Sequence, residues 1–186
     1  MGYTTDFEGK MTITPALEPQ QVVFLNKLAD TRRMARNVDE SIYGVQGEFY
    51  IGKGFAGQDN ELNIADYNQP PRTQPSLWLR WEISEDGTTL EWGGSEKFYA
   101  YTEWIEYLIT KVFMPLDRQL DGTILYSGEE TGDAGKIIVT SNKICVETWN
   151  EGTSFIEPKK NFDAKVLLKA IEAQVKIETE TKFIVG

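Results

Sequence analysis

The chain has 186 residues, with 29 acidic against 19 basic side chains, a formal charge of −10, one cysteine and no histidine. Without histidine there is no Ser-His-Asp triad, no Cys-His pair and no His-ligated zinc; a single cysteine excludes an intramolecular disulfide and a cysteine-rich metal knuckle. Hydrophobic residues at 40% and aromatics at 12% suffice for a core, and the length indicates one domain with at most an appended element.

Residues 5–14 alternate, with Phe7, Met11 and Ile13 as apolar members, and predict an opening strand that ends at Pro15. A helix is expected over 19–37, with Pro19 in its first turn and Val22, Leu25, Leu28 and Ala29 on one face. Its last turn would hold Arg32, Arg33 and Arg36, which suit the negative end of the helix dipole. Residues 44–74 are rich in Gly, Asn, Asp and Pro and predict irregular chain around one short strand at 48–51. Leu77, Leu79, Trp81 and Ile83 alternate with polar or mixed neighbours, and Asp86-Gly87 turns this strand into its partner at 88–92. Ser95 is a suitable N-cap for a central helix over 96–114, striped by Phe98, Tyr101, Ile105, Leu108 and Val112. Strands are expected at 123–127, 136–140 and 143–149, then a second amphipathic helix over 161–176 and a final edge strand over 177–185.

This order predicts an α+β fold: a largely antiparallel sheet packed by a central amphipathic helix, with additional helices near the N- and C-termini. Residues 1–150 form the expected core domain, and 151–186 an appended helix and strand packing on it. No stretch approaches the roughly 20 apolar residues of a membrane span. The opening residues lack a signal peptide's basic start and apolar region, and the lone Cys145 fits a reducing interior. A cytoplasmic protein is expected.

Among candidate sites, the arginines come first, because a guanidinium fork suits carboxylate or phosphate recognition. On a helix, Arg32 and Arg36 would share a face, with Arg33 rotated by about 100°; the competing structural reading pairs all three with carboxylates of the same domain. Next come the aromatics Tyr67, Trp78, Trp81, Trp92, Tyr99 and Trp104. On one strand, Trp78 and Trp81 would point to opposite faces, so one of them meets a second layer, a ligand or a partner. The loop carboxylates Glu129, Glu130 and Asp133 offer an acidic binding surface without an EF-hand's spacing. Glu96, Glu103 and Glu106 would lie on the central helix, where solvated acidic positions are common. Gly52-Lys53-Gly54-Phe55-Ala56-Gly57 has the spacing G-x-G-x-x-G but no helix to open, and Cys145 reads as structural. No catalytic residue, metal ligand or cofactor is expected.

Several blocks resemble a family of small proteins from bacteria and their phages. They are the opening Met1-Gly2-Tyr3-Thr4-Thr5-Asp6-Phe7, Thr31-Arg32-Arg33-Met34, Asp66-Tyr67-Asn68, Gln74-Pro75, Leu77-Trp78, Trp81 and Glu85-Asp86-Gly87. Trp92-Gly93-Gly94, Glu96-Lys97-Phe98-Tyr99, Glu103-Trp104 and Tyr107-Leu108 complete the set. The family has no established activity, so the resemblance implies no catalytic role; its phage association implies an accessory protein that disables a host defence factor such as a CRISPR nuclease, in the host cytoplasm. The expected function is therefore a non-catalytic, acidic module binding a protein with a basic surface, without direct contact to nucleic acid or membrane. Two alternatives accompany it. One is a small-molecule or nucleotide-binding protein or hydrolase, with Arg32 and Arg36 holding an anion and Tyr67 or Trp78 stacking on a base. The other is a virion component or homo-oligomer.

Overall fold

The computed structural model describes residues 2–59, 61–159 and 164–185. Its centre is strand β1 (Thr5–Thr14), whose alternation buries Thr5, Met11 and Ile13 and leaves Asp6, Glu8, Lys10, Thr12 and Thr14 exposed. β1 joins helix α1 (Pro19–Asp30), which buries Val22, Phe24, Leu25, Leu28 and Ala29. Short strands β2 (Ala35–Arg36) and β3 (Ile64–Asp66) pair with each other, with the four-residue helix α2 (Glu40–Tyr43) between them in sequence. The hairpin β4 (Trp81–Ile83) and β5 (Thr89–Trp92) precedes helix α3 (Tyr101–Leu108), which continues as a π-helical turn over Ile109–Phe113. Strands β6 (Gln119–Gly128), β7 (Ala134–Thr140), β8 (Lys143–Thr148) and β9 (Gly152–Ile156) follow, and helix α4 (Lys165–Val185) completes the chain.

Seven strands form one antiparallel sheet in the order β4-β5-β1-β6-β7-β8-β9. The expected α+β class and largely antiparallel sheet hold. β1 and β6 pair over ten residues, from Thr5 opposite Gly128 to Thr14 opposite Gln119. Gly9, at φ 106°, lets them close, since a Cβ there would run into the Thr123 carbonyl. On one face of the sheet lie Met11, Ile13, Leu90, Leu120, Ile124, Ile137, Val139, Ile144 and Val146, all buried in a core shared with α1, α3 and α4. Phe7 meets Trp81, Trp92, Phe98 and Tyr101 with ring centroids 4.9–5.7 Å apart. On the other face Asp6, Glu8, Lys10, Thr123, Leu125 and Phe155 are exposed, and nothing among the described residues covers it.

Several elements depart from the sequence expectation, each for a local reason. α1 ends at Asp30, not at residue 37: Thr31 turns extended, its hydroxyl donates to the Lys27 carbonyl, and the Arg32 N–H bonds to Ala56 instead of continuing the helix. Arg32, Arg33 and Arg36 are therefore not a helical turn, and Arg36 lies on β2. Residues 48–51 form no strand, and residues 77–80 precede β4 instead of belonging to it. α3 begins at Tyr101, with Ala100 as N-cap in place of Ser95. Residues 177–185 continue α4 and are not an edge strand; once a helix is nucleated, each further residue adds a backbone hydrogen bond, and no strand offers residues 177–185 a partner among the described residues. The expected helix start at Asn161 lies outside the described residues. β9 bonds to β8, and Leu167, Ala170 and Ile171 of α4 enter the common core. No helix among the described residues is long and apolar enough to cross a membrane.

Candidate functional site

The three arginines leave α1 in different directions. Arg33 is 1% exposed, and its Nη2 donates to the carbonyls of Gly47, Glu48 and Tyr50 at 3.2, 3.0 and 2.9 Å. Its Nε donates to Gln74 Oε1 at 3.3 Å, and burial lowers its pKa to about 10. Gln74 donates in turn to the Glu48 carbonyl and to Tyr107 Oη, and the Tyr107 hydroxyl donates to Glu48 Oε1 at 2.7 Å. Burial, followed by Glu48, raises Tyr107 well above the ordinary tyrosine range. Arg36 is also buried: it pairs with Glu61, donates to Asn63 Oδ1 and the Gly57 carbonyl at 2.9 Å each, and lies over the Tyr50 ring. The two guanidinium groups pin Gly47, Glu48 and Tyr50, and Gly57, Glu61 and Asn63, to the core. Arg32 alone reaches the surface, where it stacks on Tyr67 at 4.4 Å and donates to the Tyr67 carbonyl and Asn68.

Beside this pair lies a cleft of about 590 Å³, within the size range of small-ligand pockets. Pro70, Pro75, Leu77, Trp78 and Tyr99 form apolar walls, and Arg80, Lys97 and Glu96 bring charge. Main-chain bonds tie its rim to the arginine segment: Arg33 N–H to the Leu77 carbonyl at 2.8 Å and Ala35 N–H to Gln69 at 2.8 Å. Trp78 lines the cleft, Arg32 and Tyr67 pair with each other without lining it, and Arg33 and Arg36 stay inside. Glu96 lines the cleft from irregular chain and is not in a first helical turn. Arg80 and Lys97 join the expected Trp78 here and were not singled out in the sequence, where Arg80 reads as the polar member of a strand. Pro75, Ser76, Leu77 and Trp78 meet Glu96, Lys97 and Tyr99 here.

The acidic loop lies elsewhere and faces the N-terminal segment. Glu129 Oε1 accepts from the Thr4 N–H at 2.7 Å; the Tyr3 hydroxyl donates to the Asp133 carboxylate and accepts from the Glu130 N–H. The bond to Asp133 is the main cause of a raised Tyr3 pKa. The Tyr3 N–H reaches Tyr99 Oη at 3.1 Å, linking the loop to the cleft. Glu103 and Glu106 border a second cavity of about 360 Å³ with Arg72, Gln74, Tyr107 and Lys111. Among the described residues no group of three or more Cys, Asp or Glu side chains is arranged to hold a metal ion.

The uncovered sheet face adds residues that the sequence left unassigned. Register aligns Glu82, Glu91, Lys10, Thr123, Ile138, Cys145 and Phe155 in one row, one residue from each strand. The β4-β5-β1 half bears Glu82, Glu91, Asp6 and Glu8 against Lys10. The β6-β9 half exposes Leu125, Trp149 and Phe155, the last two at 81% and 80%. The signal for these was present: outward positions on strands should be polar, and these are not. No family model matches the chain, and neither the curated proteins nor the solved structures give a match.

Proposed function

We propose that this chain is a non-catalytic protein-binding module that docks the uncovered face of its sheet on a partner with a basic, amphipathic surface, inside the cell. The observation that carries this is the two-part character of that face: carboxylates on β4, β5 and β1, and exposed Trp149 and Phe155 at the other end. Tryptophan is a favoured interface anchor, and a ring left in water gains about 25 cal/mol per Å² when a partner covers it. Six strand spacings of about 4.8 Å make the face roughly 29 Å wide, a span matched by a helix of about 19 residues. The net charge of −10 favours a cationic partner and steers it on approach. The resemblance to phage proteins makes a host defence nuclease, with its basic nucleic-acid surface, the first partner class to test.

The test is affinity capture from host lysate with three baits: wild type, Trp149→Ala/Phe155→Ala, and Arg32→Ala as a control away from the face. Wild type and Arg32→Ala should retain one stoichiometric protein that the double variant loses. Capture of no such protein, or its retention by the double variant, overturns the reading. A second copy of the chain is the competing occupant. A dimer in light scattering that the double variant abolishes would replace the partner with self-association.

A further inference from the structure

We infer that the Trp78 cleft is a small-molecule site for a planar aromatic anion, whose ring stacks between Trp78 and Tyr99 and whose carboxylate or phosphate is taken by Arg80 and Lys97. Arg80 carries most of the weight. Its guanidinium carbon lies 4.3 Å from the Trp78 ring centroid, yet its Nε is buried without a partner. Arg32, Arg33, Arg36 and Arg118 each donate from the guanidinium to acceptors of the chain. The Arg80 guanidinium makes no hydrogen bond or ion pair among the described residues. Stacking occupies a guanidinium's face and leaves its edge donors available to an oxyanion. Burial is the chief cause of a lowered Arg80 pKa, and Asp30 and Glu82 oppose that shift without lining the cleft. Within the cleft lining itself two cations, Arg80 and Lys97, face one carboxylate, Glu96.

The backbone supports the same place independently. Lys97 and Ala100 adopt φ of 59° and 55°, left-handed conformations that cost a residue with a Cβ energy. They hold residues 96–100 out of the helix that Ser95 and the apolar stripe would start, and this puts Glu96, Lys97 and Tyr99 on the cleft. Residues 77–80 likewise leave the strand that their alternation predicts, which brings Leu77, Trp78 and Arg80 to the opposite wall. Local signals are overruled on both sides of one cavity, as expected where a site is being shaped.

Calorimetric titration of the full chain tests this with three kinds of probe: AMP and indole-3-carboxylate as ring anions, adenosine and indole as neutral rings, and inorganic phosphate as anion alone. At least one ring anion should bind saturably, and more tightly than its neutral ring by about tenfold, with phosphate alone weaker still. Which ring anion binds separates a nucleotide from an aromatic acid. Arg80→Gln should abolish the preference for the charged ring and leave neutral-ring binding unchanged. Saturable binding by neither ring anion, equal affinity for charged and neutral rings, or an undiminished preference in Arg80→Gln overturns the assignment. If Arg80→Gln does not fold, Lys97→Gln, at an exposed position, gives the same comparison. Neither substitution touches Trp149 or Phe155, the side chains removed in the partner-capture test, so failure here and failure there are distinguishable.

Discussion

Arg33 meets three main-chain carbonyls and Gln74 in the interior, beside a Glu48 carboxylate held by the Tyr107 hydroxyl and the Val45 N–H. With a pKa of about 10 it stays charged at neutral pH, so removing it leaves carbonyls unsatisfied and a buried carboxylate with less compensation. Arg33→Met is therefore expected to destabilise the protein by ~3–5 kcal/mol in urea unfolding. Arg32→Ala, which removes a surface stack on Tyr67, should cost no more than ~1 kcal/mol in the same experiment. Asp86 gives a second test at this scale. Its carboxylate accepts from the hydroxyls of Thr88 and Ser84 and from the Thr88 N–H, which lowers its pKa to about 2. A carboxyl lowered from 3.8 contributes stability that is present above 3.8 and disappears as pH falls through about 2. Asp86→Asn should thus lower the thermal midpoint at neutral pH and have little effect at the acid end of that window.

Among the elements, the β4 edge shows how a sheet is stopped. The Asn26 amide of α1 donates to the Ile83 carbonyl and accepts from the Ile83 N–H, at 2.9 Å each way, in the manner of a neighbouring strand. Asn26→Ala leaves both groups without that partner and is expected to cost ~1–3 kcal/mol, with a measurable rise in self-association on light scattering. Ser95→Ala, by contrast, should change stability by less than ~0.5 kcal/mol, because α3 starts at Ala100–Tyr101 and the Ser95 side chain caps nothing. That pair of outcomes marks what was legible in the sequence. β1, β6, β7 and β8 alternate cleanly because one face is buried and the other is not, and the Asp-Gly turn fixes the β4–β5 hairpin. The C-terminal limit of α1 was not legible, since it depends on carbonyls in residues 47–57 that accept from Arg33 and Arg36. β9 was missed because its inward face offers the core only Ile156. The arginine cluster was legible as a group of unusual side chains but not as two interior braces and one surface stack. Trp78 was legible as a residue out of place in a strand, while its companion Arg80 became visible only with the cleft.

At the scale of the whole molecule, the distribution of charge decides more than its sum. Glu82 and Glu91 are cross-strand neighbours on the uncovered face, and like charges directly opposite each other destabilise a sheet. Partial burial, then Asp30, then Glu91 raise the Glu82 pKa above 4.5, against the lowering effect of Arg80. The stability contributed by a carboxyl raised in this way is present below 4.5 and is lost as pH rises through the raised value. Glu82→Gln, which mimics the protonated form, should therefore raise the thermal midpoint at neutral pH and leave it unchanged below 4.5. An arrangement that weakens the free protein at neutral pH is relieved when a cation approaches. The same substitution is accordingly expected to weaken binding of a lysine-rich amphipathic helical peptide by several-fold to about tenfold at low salt, and by less at high salt. Titration of that peptide into wild type and Glu82→Gln at two ionic strengths measures it. Equal affinity at low salt would remove the acidic half from the docking surface and leave Trp149, Phe155 and Leu125 to act alone, which would require a partner chosen by apolar shape instead of charge.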